Sequence, residues 1–359
     1  MELLEPVELY DLNGFYMEIT SACNLRCLHC YNDSGVLKNQ INFVDFEKIV
    51  NEFDDPETSI TLSGGEPLMH PDFKCFLDCL AAKKFKNSLI VTNATLINEE
   101  IAGYIAKSKV PVQVSINGMS SKEHDLLCGV GNFERTMSGL EKLRDAGHNR
   151  IVIRCMVSAS NVEHIEDFIS IMAPKADTIL LGFLTESGRG KKNKEIIAID
   201  SFEKHKVLER LKHSKVIEEI EKTGVKVSYP EECFNSGCPL IHKSPEGKVP
   251  FNPRIDSGGN VYLCQGFSNV KTRVGNIKKN TLREILASDK LQHYVNFLNL
   301  ATENIPECDN CVWKATCGRG CIASASERGS VLETDGDCDI RKYVFGHQLI
   351  NQVNGEGKF

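Results

Sequence analysis

A repeating rhythm restricts the fold of this chain more than any single residue does. From Phe15 to about Leu184, short β-rich runs alternate with stretches whose apolar residues recur at helical spacing. The extended runs are Phe15–Ile19, Ser59–Leu62, Ser88–Thr92, Pro111–Ile116, Arg150–Val157 and Thr178–Leu184. Between them lie Val44–Phe53, Pro71–Ala82, Asn98–Lys107, Asn132–Ala146 and Val162–Met172. Six β/α units in succession predict an α/β fold with parallel strands, because helical crossovers return the chain in one direction to the same sheet. Alternation within a strand then assigns its faces. In Val112–Asn117, Val112, Val114 and Ile116 share one face while Gln113, Ser115 and Asn117 share the other. Polar groups pressed against outer helices are costly unless hydrogen-bonded, so the second face should point inward. The same reasoning turns Arg154 inward, toward a ligand carboxylate or a strand-end salt bridge, and sends Cys155 into the core.

The first strand runs into Thr20-Ser-Ala-Cys23-Asn-Leu-Arg-Cys27-Leu-His-Cys30-Tyr31, three thiols within eight residues. A structural zinc site and a complete iron–sulfur cubane both close with four ligands, so three either lack a partner or leave a position open. Read as open, a [4Fe–4S] cluster on Cys23, Cys27 and Cys30 has one iron free for the amino and carboxylate groups of a small molecule. A zinc knuckle or three buried thiols is the alternative. At the end of the second strand stands Ser63-Gly64-Gly65-Glu66-Pro67, where missing side chains allow a close backbone approach. Thiols return at Cys233, Cys238 and Cys264, then densely at Cys308, Cys311, Cys317 and Cys321, and last at Cys338. Eight such residues in a chain with no export signal point to metal, iron–sulfur or zinc, rather than to disulfides. Cys75, Cys79, Cys128 and Cys155 are left over as small apolar residues.

Composition excludes other classes. The 359 residues are 41% hydrophobic and 25% charged, which is ordinary globular usage. A net charge of −7 argues against a nucleic-acid or anionic-membrane surface, since phosphates are met mainly by basic residues. The basic run Gly188–Lys194 reads as a solvated loop. The N-terminus lacks the regions of a secretory signal, and no apolar run approaches the ~20 residues of a membrane span, so a cytoplasmic protein is expected.

CxxxCxxC after a first strand, followed by Gly-Gly-Glu after a second, resembles the radical S-adenosylmethionine (SAM) enzymes. That resemblance implies a partial (β/α)6 barrel in which the open iron chelates SAM and an electron breaks its sulfonium to give a 5′-deoxyadenosyl radical. By resemblance Cys23, Cys27 and Cys30 are catalytic, and Ser63, Gly64, Gly65, Glu66, Asn93, Ser115 and Arg154 contact SAM. Thr92-Asn93, Ser115–Gly118, His124-Asp125 and Leu181–Phe183 leading to Gly188–Gly190 are further family-like features. Asn117 departs from the family where relatives often have Asp, and Cys128 where many have Arg. The later cysteines, with Gly259 before Cys264, resemble a SPASM domain with two auxiliary [4Fe–4S] clusters. The implied ligands interleave: Cys233, Cys238, Cys264 and Cys321 for one, and Cys308, Cys311, Cys317 and Cys338 for the other.

The organisation expected is a lead-in over 1–14, a barrel over 15–190, a helical bridge over 191–232, a SPASM domain over 233–345 and a loose tail over 346–359. Such enzymes mostly modify peptides or proteins, so maturation of a ribosomally made peptide is expected, by a thioether, a carbon–carbon crosslink or a side-chain oxidation. The short lead-in implies a separate leader-recognition protein or leader binding by the barrel. A reducing donor such as flavodoxin or ferredoxin is also implied. An anaerobic sulfatase-maturating enzyme is a second reading. That type has an Asp base after the cysteine aligned with Cys264, whereas here Gln265 cannot take a proton. Cofactor biosynthesis stands beside it, and a non-catalytic zinc-binding interaction protein is the alternative of another class.

Overall fold

The computed structural model describes residues 10–230, 238, 249–317 and 319–353, so Cys233 lies outside the described residues. Strands β1 (Tyr10–Leu12), β2 (Gly14–Thr20), β3 (Ser59–Gly64), β4 (Leu89–Thr92), β5 (Val112–Ser115), β6 (Ile151–Met156) and β7 (Thr178–Gly182) come first. Helices α1 (Phe43–Val50), α2 (Phe73–Lys83), α3 (Glu99–Ser108), α4 (Ser121–Cys128), α5 (Asn132–Asp145) and α6 (Ile165–Met172) lie between them. From β2 to β7 each strand pairs in parallel with the next, which is the predicted singly wound order. The sequence explains the helix starts: Asn42 and Asn98 each accept a hydrogen bond from a first-turn N–H, of Asp45 and Ile101.

One parity of residues along every strand builds the core. Phe15, Met17 and Ile19 of β2, Ile60 and Leu62 of β3, and Val112 and Val114 of β5 are fully buried in one cluster. Helix α1 seals it with Phe46, whose ring stands 4.7 Å from that of Phe76 of α2. Cys155 is likewise buried in this cluster, as its position in β6 predicts. The opposite parity, including Tyr16, Thr61, Ser63, Gln113 and Arg154, faces a cavity on the inner side of the sheet.

Both edges of the sheet differ from the expected organisation. After α7 (Gly188–Lys192), α8 (Lys194–Ile197), α9 (Ser201–Lys212) and α10 (Lys215–Glu221), the chain forms β8 (Lys226–Ser228) along the free edge of β7. At the other edge, β10 (Arg254–Ile255) runs parallel to β2, pairing Arg254 with Tyr16, and continues through antiparallel β11 (Asn260–Tyr262) and β12 (Gly275–Asn276). The C-terminal region therefore shares one ten-stranded sheet with the barrel. β9 (Val249–Phe251) pairs with β1. The last helix spans Cys338–Val353, so residues 346–353 are helical where a loose tail is expected. Among the described residues no helix is long and apolar enough to cross a membrane.

Candidate active site

A cavity of about 480 Å³ opens at the C-terminal ends of the parallel strands, and Cys23, Cys27 and Cys30 all line it. The loop that carries them is held from three sides. Gly65 N–H donates to Thr20 O at 2.7 Å and Glu66 N–H to Ala22 O at 2.8 Å, which lays the glycine turn against the thiol loop. A Cβ on Gly65 would stand 2.3 Å from Ala22 O, so only glycine fits. Helix α4 supports the middle, where Leu28 N–H donates to Leu127 O at 2.8 Å. Arg189 clamps the far side, donating from Nε to Cys27 O at 2.8 Å and from Nη1 to Ser34 O at 3.0 Å and to Asp33 Oδ1 at 2.7 Å. The run Gly188–Lys194 is thus short helix, with Arg189 turned onto the thiol loop instead of standing in a solvated loop.

Burial raises these thiols. It pushes Cys23 up to about 12 and raises Cys30. Cys27 is raised by its contact with the Cys128 thiol and then by burial. Thiols so placed keep their protons unless a cationic centre draws them as thiolates. The donor set, three thiols free of disulfides that line one cavity, fits an open iron–sulfur cluster.

Of the expected SAM contacts, Ser63, Gly64, Gly65, Asn93, Ser115 and Arg154 line the same cavity. Gly182 on β7 leaves the room that the Arg154 guanidinium fills, since a Cβ there would meet Nη2 at 2.6 Å. Glu66 differs: it is 1% exposed and lies behind the cavity wall. Its carboxylate accepts from Thr92 Oγ1 at 2.6 Å, Asn93 N–H at 2.8 Å and Leu68 N–H at 3.2 Å. Burial nevertheless pushes it up to about 7. Its place is that of a strut under the Thr92-Asn93 turn. Asn117, in the cavity wall, uses its carboxamide on the scaffold, accepting from Met156 N–H at 2.9 Å and donating to Cys128 Sγ at 3.4 Å.

Sequence reasoning missed a buried polar junction behind the thiol loop. Arg254 donates from Nε and Nη2 to the two oxygens of Glu18, each at 2.8 Å, and from Nη1 to Phe267 O at 2.8 Å. Tyr31 Oη and Asn32 Nδ2 donate to Glu18 Oε1 at 2.9 and 3.0 Å. Strand β2, the end of the thiol loop and the loop after Cys264 meet here. Glu18 marks the inner face of β2 with a charge, but nothing in the sequence names Arg254, far along the chain, as its partner.

The loop after Cys264 enters the cavity wall with Gln265 and Gly266. Cys264 is pushed up to about 12 by burial and then by the charges of Cys321 and Cys238. Cys308 is raised by burial and then by Cys338 and Cys311. Cys317, raised by burial, also senses Cys338. Cys233 lies outside the described residues.

The radical SAM superfamily model matches residues 17–172, and the SPASM model, an iron–sulfur cluster-binding domain, matches 252–312. The chain belongs to the radical SAM superfamily and carries a SPASM domain after its barrel. It is similar to the mycofactocin maturase MftC of Mycobacterium ulcerans, 32% identical over 48% of this chain and 47% of that one. The chain thus spans about half the length of the first curated relatives it matches. Two others align more fully. The AdoMet-dependent heme synthase of Methanosarcina barkeri is 28% identical over 90% of this chain and 95% of its own. The cysteine-type anaerobic sulfatase-maturating enzyme of Clostridium perfringens is 24% identical over 93% and 96%. Among solved structures, Streptococcus suis SuiB bound to precursor peptide SuiA superposes with a TM-score of 0.70 at 20% identity, covering 91% of this chain and 75% of that one.

Proposed function

We propose that the protein reductively cleaves SAM and takes hydrogen from a peptide or protein, maturing a ribosomally made peptide. One observation carries this reading: Cys23, Cys27 and Cys30 share a cavity with Gln265 and Gly266, so the radical-forming loop and the auxiliary-thiol loop face the same volume. When bound, the iron–sulfur clusters would supply one-electron chemistry, reductive at the SAM site and electron-accepting at the auxiliary sites. Cys23, Cys27 and Cys30 would hold the SAM-binding cluster through their thiolates and leave it open toward the cavity. The Gly64-Gly65 turn brings backbone close to that position, Arg154 offers a cation to the SAM carboxylate, and Ser63, Asn93 and Ser115 offer hydrogen bonds. Glu66 positions Asn93. The inner strand faces keep the reacting atoms away from bulk water. Cys238, Cys264 and Cys321, joined by Cys233, would hold one auxiliary cluster, and Cys308, Cys311, Cys317 and Cys338 the other. A one-electron donor such as a flavodoxin or ferredoxin delivers the electron.

The precursor peptide on SuiB and the maturase activity in the name of MftC support a peptide substrate. The heme synthase alignment over 90% of the chain favours cofactor biosynthesis as the second reading. Gln265 in the cavity wall speaks against sulfatase maturation, because an amide does not serve as a base. The test is to incubate the reduced protein and SAM with synthetic peptides from any short open reading frames found beside its gene, together with a porphyrin precursor. A peptide that loses hydrogen in proportion to the 5′-deoxyadenosine formed supports maturation. An unaltered peptide together with consumption of a porphyrin precursor would establish the second reading.

A further inference from the structure

Helix α9 and the terminal helix Cys338–Val353 pack together through Leu208, Ile340 and Val344. Beside that seam stand three side chains that the chemistry above does not use: His205 and Glu209 of α9, and His347 of the terminal helix. Positions 205 and 209 are one helical turn apart and project from the same face. A ring nitrogen of each histidine and a carboxylate oxygen of Glu209 lie within 4.8 Å of one another. His347 Nδ1 is 4.0 Å from Glu209 Oε2.

A second observation sets this trio apart from ordinary surface polarity. His205 is only 9% exposed, its ring stacked on Tyr343 with centroids 4.9 Å apart and 16° between planes. Its Nδ1 is buried with no hydrogen-bond partner among the described residues. Glu209 has a supporting neighbour, His213, whose Nε2 stands 3.8 Å from Oε2.

We propose that His205, Glu209 and His347 bind one zinc ion, with solvent as the fourth ligand, and that the ion staples the terminal helix to α9. Two imidazoles and a carboxylate are a zinc set, whereas calcium and magnesium ask for more oxygens and an iron–sulfur cluster for thiolates. The ligand atoms lie within 4.8 Å of one another, His347 Nδ1 and Glu209 Oε2 being 4.0 Å apart, and the ion draws them inward. The staple has a structural consequence. The terminal helix begins at Cys338, and Lys204 Nζ already holds Asp337 Oδ1 at 2.7 Å at that end. The ion fixes the other side of the same seam, and the site stands whatever the substrate of the barrel is.

The experiment adds zinc sulfate to the anaerobically purified, iron-loaded protein, removes the excess by gel filtration and records the zinc K-edge spectrum with a metal count. The expected result is about one zinc per chain with nitrogen and oxygen neighbours at about 2.0–2.1 Å and no sulfur at about 2.3 Å. In His347→Ala and Glu209→Gln, at positions 44% and 33% exposed in the side chain, retained zinc falls tenfold or more while iron stays at the wild-type count. Should a variant lose its far-UV circular dichroism, the wild-type spectrum decides alone, since sulfur scattering places the zinc in a cysteine site. No retained zinc, a sulfur shell, or undiminished zinc in folded variants overturns the proposal.

Discussion

His70 shows how much a single side chain can couple to solution conditions. Its Nε2 lies 2.9 Å from Ile41 O and its Nδ1 accepts from Asp72 N–H at 3.0 Å, so the neutral ring with its proton on Nε2 satisfies both neighbours. Burial lowers its pKa. A lowered folded pKa means the unfolded chain binds the proton first as pH falls, so stability is full above about 6.5 and declines below it. Thermal unfolding between pH 7 and 5 should show a falling midpoint, with a shallower slope in His70→Gln; equal slopes would remove His70 from the account. Glu66 acts differently. Glu66→Ala strips the Thr92-Asn93 turn of its acceptor and should cost about 1–3 kcal/mol while weakening SAM binding at unchanged iron content. Loss of iron as well would make Glu66 a strut of the thiol loop itself.

The elements divide into those written locally and those assembled from afar. Strands β2 to β7 were legible because several consecutive residues alternate and because Gln113, Ser115 and Arg154 mark the inner face. β8 and β10 to β12 have two or three residues each, too few for any period to show. Arg189 was hidden inside a basic run, and Arg254 sits 236 residues from Glu18, so neither contact has a sequence signature. That buried pair gives an element-scale prediction. Arg254→Met leaves the Glu18 charge unpaired and should cost about 3–5 kcal/mol. Glu18→Gln with Arg254→Met should recover at least about 1 kcal/mol of the summed single losses in a denaturant double-mutant cycle. Strict additivity would mean that β2 and β10 are not coupled through this contact.

At the scale of the molecule, the shared sheet makes barrel and C-terminal region one scaffold, and the cavity lies where their loops meet. The thiol pattern and glycine turn were readable because metal and ligand chemistry demand particular residues in sequence; the partition of the later thiols was given only by resemblance. The two roles should separate. Cys308→Ala or Cys317→Ala, once shown folded by circular dichroism and iron count, should still form 5′-deoxyadenosine but give little or no altered peptide. Wild-type product per SAM cleaved from such a variant would make that auxiliary site structural.

The most direct measurement is 5′-deoxyadenosine released by the reduced, iron-loaded protein given SAM, set beside the Cys23→Ala/Cys27→Ala/Cys30→Ala variant. The account predicts release by the wild type at about twelve iron per chain, and none by the variant at about eight. Release undiminished in the variant, or a colourless wild type holding zinc in place of iron at the cysteine sites, would contradict it.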